Sequence, residues 1–375
     1  MEWTTCAARL AEEVAHPVSR WREALATTPR HLFVPRWWKA DEGRWWLQDG
    51  PQDPEAWMAA AYSNRTLVTR VGEVHADQAK EEQADGLPTS SSTLPSLVVQ
   101  MYRHAMMADD SDILVTAGTG YGTALACARL GSEHVTSVDV DPYLVAAAAD
   151  RLHDIGHHPQ TAVCDITGPL PGTFDRIIAT VSTRGVPAPW LRALRPGGRL
   201  VTTLAGTWLI VTADKQEDGS AIGRVEADRA SFMTTRQGAD YPPNTGPAFK
   251  EVSHLEGEEV SMGRFPVLNV PESYDVWSML ELTVPGIQHY FSHDADRGRK
   301  AWMIHPDGSW ARAEGVWKEF PTVHQGGPRR LYDDLERIRL RLNMEGALPL
   351  THARVEISPE GVCTISRGAW RAEIE

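Results

Sequence analysis

Apolar residues along this chain follow two rhythms, and the change between them marks its organisation. Between Asp112 and about Ile210, short β-rich apolar runs occur at Ile113-Leu114-Val115, Val135-Thr136-Ser137-Val138, Thr161-Ala162-Val163, Ile177-Ile178-Ala179 and Leu200-Val201-Thr202-Thr203-Leu204. Helical stretches intervene: Gly122 to Leu130, Pro142 to Leu152, and Pro187 to Leu194. Pro142 and Pro187 stand where a first helical turn tolerates proline. Strands alternating with helices predict an α/β fold with a parallel-rich, doubly wound sheet.

Outside this stretch the pattern differs. Trp21 and Leu25 lie one helical turn apart after Ser19, a candidate N-cap, and that helix must end near Pro29. From Asp41 to about Asp85 the chain is polar and broken by Gly and Pro, apart from the strand-like Thr66-Leu67-Val68-Thr69-Arg70-Val71. It reads as a long functional extension. After about residue 215 the alternation stops, and turns such as Pro306-Asp307-Gly308-Ser309 and Pro359-Glu360-Gly361 separate short strands. One helix stands out there, with Leu331, Leu335, Ile338 and Leu342 on one face and Asp333 set four residues before Arg337 on another. The expected division is an N-terminal helical and irregular extension and lid (1–85), an α/β core (86–235), and a C-terminal α+β subdomain (236–375) that recognises substrate. Neither an internal repeat nor a long low-complexity segment is evident.

Composition narrows the classes. Hydrophobic residues make up 42% of the 375 and charged residues 23%, as in a soluble globular protein. No apolar run approaches the ~20 residues of a membrane span, and the N-terminus lacks the pattern of an export signal. The four cysteines are scattered without a CxxC pair, which argues against a metal site or a disulfide framework and suits a cytoplasmic setting. A net charge of −13 argues against a nucleic-acid partner. Half of the 14 tryptophans fall within the first 57 positions, including the pairs Trp37-Trp38 and Trp45-Trp46. Core or lid packing is the favoured reading, with an aromatic peptide-binding surface as the alternative. Oligomeric state is not readable.

The chemistry concentrates after the first core strand. That strand runs into Ala117-Gly118-Thr119-Gly120-Tyr121-Gly122, and a helix follows. Glycines there let the backbone turn tightly and approach a ligand. About 20 residues on, at the end of the next strand, stands Asp139, the spacing expected of a ribose-hydroxyl acceptor. Its neighbour Asp141 reads as the N-cap of the helix at Pro142. A dinucleotide calls for GxGxxG, whereas this loop is GxGxG. Asp165, after the third strand, is placed to accept from an adenine amino group. Gly118, Thr119, Gly120, Gly122, Asp139 and Asp165 therefore form a candidate site for S-adenosyl-L-methionine, which has no pyrophosphate. The fold class expected is a Rossmann-like class I methyltransferase.

Three further stretches resemble the protein-L-isoaspartate O-methyltransferases. Pro29-Arg30-His31-Leu32-Phe33-Val34-Pro35 looks like that family's N-terminal signature, and Thr89-Ser90-Ser91-Ser92-Thr93-Leu94-Pro95 like its hydroxyl-rich active-site loop. Phe174-Asp175-Arg176-Ile177-Ile178 through Pro196-Gly197-Gly198 resembles its later strands. The resemblance covers roughly residues 19 to 235. It implies transfer of a methyl group to an aspartyl or isoaspartyl carboxylate of a peptide or protein, with Thr93 in the place of the catalytic serine and Ser91 beside it. Thr116 stands where the family usually has Glu or Asp. With the long insertion before Thr89 and the long tail, this looks more like the branch that methylates ribosomally made peptides (lasso peptides, graspetides, lanthipeptides), where the ester closes to an aspartimide. General isoaspartate repair and a non-catalytic binding protein are the alternatives.

A carboxylate is ionised near neutral pH, so the chemistry needs no strong base, only alignment and exclusion of water. Hydroxyls of Ser91 and Thr93 are suited to grip one carboxylate oxygen, though the same Ser/Thr run is also able to cap the helix from Ser96 to Met107. His75, Asp77, Arg65 and Ser92 are further candidates for closing the substrate pocket, Arg65 as a cation for substrate carboxylates; Asn64 is a weaker one.

Overall fold

The computed structural model describes residues 2–235, 246–344 and 350–374. The boundary expected at residue 236 lies outside them. A 10-stranded sheet organises the molecule. From one edge its strands run Gln160–Val163, Val135–Asp139, Ile113–Thr116, Phe174–Thr183 and Leu194–Leu204, all parallel. Leu209–Lys215, Ala221–Arg229, Arg354–Ile357, Cys363–Arg367 and Trp370–Ile374 continue it antiparallel. The sheet is thus mixed, and the last three strands of the chain extend the central sheet instead of joining the C-terminal one.

Two apolar layers cover the parallel strands. On one face the helices Trp21–Thr27, Pro95–His104 and Tyr121–Leu130 bury Leu25, Val99, Tyr102 and Leu125. On the other, Trp190 and Leu191 of the helix Ala188–Ala193 begin a core that continues through Leu280, Met303 and Leu335. That second core reaches the 5-stranded C-terminal sheet, in the order Glu259–Met262, Thr322–Gly326, Trp310–Val316, Gly298–Ile304 and Gln288–His293. The helices Tyr274–Thr283 and Leu331–Met344 lie with it. Arg337 pairs with Asp334 rather than Asp333, whose carboxylate instead accepts from Gln325 Nε2 at 2.9 Å.

The stretch expected to be irregular folds as a 6-stranded sheet. Arg36–Asp41 and Arg44–Asp49 form a hairpin around Glu42 and Gly43, both at positive φ (47° and 79°), as a two-residue type I′ turn requires. Trp37 and Trp38 are buried in it, while Trp46 is 37% exposed. Leu67–Val71 pairs on one side with this hairpin and on the other with Pro88–Ser92, the hydroxyl-rich strand. An N-terminal helix, Trp3–Val14, adds a small core of Cys6, Ala7 and Leu10 against Ala61 and Tyr62. Among the described residues no helix is long and apolar enough to cross a membrane.

Candidate active site

The glycine loop lies at the carboxyl ends of the parallel strands, where open α/β sheets bind ligands. Gly118 and Gly120 have φ of 50° and 93°, conformations that side chains with a Cβ resist. At Gly120 a Cβ would stand 3.0 Å from Ala148 Cβ and 3.2 Å from Phe33 Cδ1. This glycine therefore lets the helix Pro142–Asp154 and the turn Arg30–Phe33 close on the loop. At Gly118 a Cβ would reach to 3.7 Å from the Ser91 carbonyl oxygen. A side chain there would fill the gap between the loop and the hydroxyl strand.

Asp139 fixes the loop. Its Oδ2 accepts the Gly118 N–H and its Oδ1 the Asp141 N–H, both at 3.1 Å. Burial pushes its pKa up, opposed by these backbone hydrogen bonds. Asp141 caps the next helix, its Oδ1 accepting the Tyr143 N–H at 2.9 Å. Asp165 Oδ1 accepts from the Thr167 N–H (2.9 Å) and hydroxyl (2.7 Å), leaving Oδ2 without a partner among the described residues.

An open cleft of about 870 Å³ lies over these groups, lined by Asp139, Val140, Leu144, Asp165 and Ile166 on one side and by Ser91, Thr93, Thr116 and Thr180 on the other. A recess of about 400 Å³ continues it past Gly118, Thr119 and Gly122, sharing Ser91 and Thr93 with it. Gly120 faces the helix instead and lines neither. The apolar wall includes Val140, 43% exposed. Among the described residues no Lys, Arg or His lines the cleft or the recess, whereas two carboxylates do. Such a lining suits an uncharged base, a ribose diol and a cation, and gives a phosphate two carboxylates and no positive side chain. The residues present fit S-adenosylmethionine: Asp139 for the ribose, Asp165 with Val140, Leu144 and Ile166 for the base, and the bare backbone at Gly118 for the amino-acid end.

The hydroxyl strand is fixed from behind by Arg30. Its fully buried guanidinium donates to the carbonyls of Ala61 (3.0 Å), Ser63 (2.7 Å), Arg65 (2.9 Å), Ser92 (3.3 Å) and Thr93 (3.2 Å). Burial lowers its pKa to about 10, partly offset by Tyr121 and Tyr62. The helix Pro95–His104 takes its N-terminal acceptors from elsewhere: Thr66 Oγ1 accepts the Leu94 N–H at 3.2 Å, and Asn64 Oδ1 the Ser96 N–H at 3.0 Å. The Ser/Thr run does not cap that helix, so the hydroxyls of Ser91 and Thr93 stay unpartnered among the described residues, facing the cleft. Ser92 Oγ instead meets Arg30 Nη2 at 3.4 Å, and Thr116 Oγ1 meets Thr180 Oγ1 at 2.6 Å.

His75, Asp77 and Arg65 do not line the cleft. His75 Nε2 lies 3.0 Å from Asp141 Oδ2, which also takes Arg70 Nη1 at 3.0 Å. Burial lowers the pKa of His75, opposed chiefly by Asp141. Asp77 accepts from Tyr143 Oη at 3.0 Å and pairs with Arg151. These two residues lock the N-terminal sheet onto the helix Pro142–Asp154, behind the cleft. Arg65 is exposed, and its carbonyl, not its side chain, reaches Arg30. Conversely, sequence reasoning passed over Thr180 and Phe232-Met233-Thr234-Thr235, which complete the cleft. Ser182 holds the latter segment: its N–H donates to the Met233 carbonyl (2.9 Å) and its carbonyl accepts the Thr235 N–H (2.8 Å). Nothing in the composition of residues 232–235 announces that place.

Residues 65–237 match the family described as Protein-L-isoaspartate(D-aspartate) O-methyltransferase. A protein-L-isoaspartate O-methyltransferase of Ignicoccus hospitalis is 30% identical over 184 residues, covering 48% of this chain and 70% of that protein. The chain belongs to the protein-L-isoaspartate O-methyltransferase family. Its cofactor is S-adenosylmethionine, and enzymes of this family methylate protein carboxyl groups. A relative from Nitrosospira multiformis is 30% identical over 132 residues, covering 34% of this chain and 56% of its own length. One from Cupriavidus necator is 24% identical over 227 residues, covering 58% and 73%. A solved protein-L-isoaspartate O-methyltransferase structure overlaps 99% of each chain with a TM-score of 0.49 at 16% identity.

Proposed function

We propose that this chain transfers a methyl group from S-adenosylmethionine to the side-chain carboxylate of an aspartate or isoaspartate in a peptide. The observation that carries this reading is the pair of hydroxyls, Ser91 and Thr93, set across from the Gly118 loop in a cleft where, among the described residues, they meet neither a partner nor a cation. When bound, S-adenosylmethionine supplies an electrophilic methyl group on a positively charged sulfur that leaves as a neutral thioether. The acceptor is already an anion near neutral pH, and no group of the cleft is needed to take its proton. Ser91 and Thr93 each donate to one carboxylate oxygen and leave the other free to face the glycine loop. Arg30 keeps both hydroxyls in place through the carbonyls of Ser92 and Thr93. The segment 232–235 narrows the opening, and a drier site favours a reaction in which opposite charges cancel.

The favoured acceptor is an aspartate of a macrocyclic, ribosomally made peptide. The next backbone nitrogen of that peptide attacks the ester carbonyl, its proton departs with methoxide as methanol, and a five-membered aspartimide remains. That closure uses only substrate atoms. Support comes from the parts of the chain beyond the family match: the N-terminal hairpin, the C-terminal sheet, and the three terminal strands on the central sheet. General repair of isoaspartyl proteins fits the cleft equally well. Mass spectrometry after incubation with cofactor separates the two. Methyl ester followed by loss of methanol on a macrocyclic precursor, but not on unrelated isoaspartyl peptides, supports the first. Methylation of many isoaspartyl peptides supports repair, and no ester on either kind refutes both.

A further inference from the structure

A second, larger cavity of about 1490 Å³ adjoins the cleft, and Thr234 lines both. Its walls come from four places in the fold. Arg184 and Gly206 follow the carboxyl ends of two core strands, and Trp277 and Glu281 lie one turn apart on the helix Tyr274–Thr283. His289 is the second residue of a strand of the C-terminal sheet, and Glu373 comes from the last strand of the chain. Thus C-terminal segments lying beyond the matched residues 65–237 converge on a space that begins where the acceptor site ends.

The groups facing this space are poorly satisfied. Both ring nitrogens of His289 are closed off from solvent and have no hydrogen-bond partner among the described residues. Neutral imidazole carries one donor and one acceptor, and buried polar groups are ordinarily paired. Burial holds the His289 pKa down to about 4, so the ring is neutral at ordinary pH. Glu281 lies on bare backbone: a Cβ on Gly206 would fall 2.5 Å from its carboxyl carbon. Its Oε1 accepts the Gly286 N–H at 2.8 Å, and among the described residues it forms no ion pair. Burial raises its pKa to about 7, opposed by that hydrogen bond, Arg184 and His305. Trp277 is anchored by its Nε1–H to the Gly206 carbonyl at 2.8 Å, and its ring meets that of His289 edge-on at 5.7 Å. Arg184 and Glu373 are both exposed, so the inner wall holds, among the described residues, one carboxylate without an ion pair, one imidazole without a hydrogen bond and an indole.

We propose that this cavity is a second substrate subsite, taking an arginine side chain of the same peptide whose carboxyl group occupies the cleft. A guanidinium brings several donors in a plane, matching Glu281 Oε2, and it is compatible with an indole wall. The inference rests on the peptide-carboxyl reading above and adds the residue class that sets specificity.

The test uses short alanine-based isoaspartyl peptides with one arginine placed at each position in turn, and matched sets with citrulline or glutamate there. Methylation kinetics of the full-length protein are measured together with peptide binding, by fluorescence anisotropy, in the presence of S-adenosylhomocysteine. At one position arginine is expected to lower KM, and to tighten binding, about tenfold relative to citrulline, with little change in kcat, as a charged hydrogen bond would. In E281Q, whose amide oxygen still accepts from Gly286, the arginine-to-citrulline ratio falls to about one. Equal values for arginine and citrulline at every position would overturn the proposal, as would a preference for glutamate or an arginine preference that survives in E281Q. Absence of methylation on every one of these peptides would count against general isoaspartate repair, while the anisotropy ratio would still decide the subsite.

Discussion

Replacing Asp139 by Asn separates cofactor recognition from loop architecture. In the wild type each carboxylate oxygen accepts a backbone N–H, from Gly118 and from Asp141, at 3.1 Å. The amide retains one carbonyl oxygen for one of these donors and turns an NH₂ group toward the other. One buried N–H loses its acceptor, a cost of about 1–3 kcal/mol. A compensating gain exists, because burial raises the Asp139 pKa in the folded protein. For an acid shifted upward, ionisation disfavours the fold. The penalty is absent below the unfolded pKa and grows as pH rises toward the folded one. Asn never carries that penalty, so the net loss of stability at neutral pH should be small, about 1–2 kcal/mol. The ribose hydroxyls, by contrast, lose an anionic acceptor, worth about 1.5–3 kcal/mol, or roughly ten- to a hundredfold in affinity. Calorimetric titration with S-adenosylmethionine and S-adenosylhomocysteine, beside thermal unfolding, measures both. Affinity within about threefold of wild type in a folded D139N protein would refute the assignment of Asp139 to the cofactor.

Other substitutions probe the rest of the site. T93V should lower kcat/KM for a peptide carboxyl about ten- to a hundredfold without altering cofactor affinity, and T93S should stay within a few-fold of wild type; steady-state kinetics decides. R30M removes the donor shared by the carbonyls of Ala61, Ser63, Arg65, Ser92 and Thr93, and should cost at least about 3 kcal/mol in urea unfolding. Glu281 has a folded pKa near 7 against an ordinary 4.5, so its contribution to stability is lost as pH rises through that window. The stability of E281Q relative to wild type should therefore increase by up to about 3 kcal/mol over the same range, measured by unfolding at several pH values.

The parallel strands were legible because each is an apolar run bounded by turn residues, and the glycine loop because Asp139 follows it at the right distance. The Trp37–Trp46 hairpin was hidden by Arg36, Lys39, Asp41 and Arg44, which interrupt its apolar alternation, although Glu42-Gly43 was a readable turn. The helix Trp3–Val14 buries Cys6, Ala7 and Ala11 beside Leu10, small side chains that form a weak stripe. Capping of the helix Pro95–His104 by Asn64 and Thr66 depends on residues about 30 positions away, which no local pattern encodes. His75 and Asp77 looked like pocket residues because loop His and Asp so often are. Their partners, Asp141 and Arg151, come from another element. The terminal strands were readable as strands, but their place on the central sheet rests on contacts such as Gly361, whose added Cβ would lie 2.7 Å from the Val186 carbonyl oxygen.

The most direct measurement is a crystal structure of the protein with S-adenosylhomocysteine and an isoaspartyl peptide. The account predicts the ribose on Asp139, the base between Asp165 and Val140, and the peptide carboxylate within hydrogen-bond distance of the Thr93 hydroxyl. A cofactor seated away from the Gly118 loop, or a carboxylate held by residues other than Ser91 and Thr93, would contradict it.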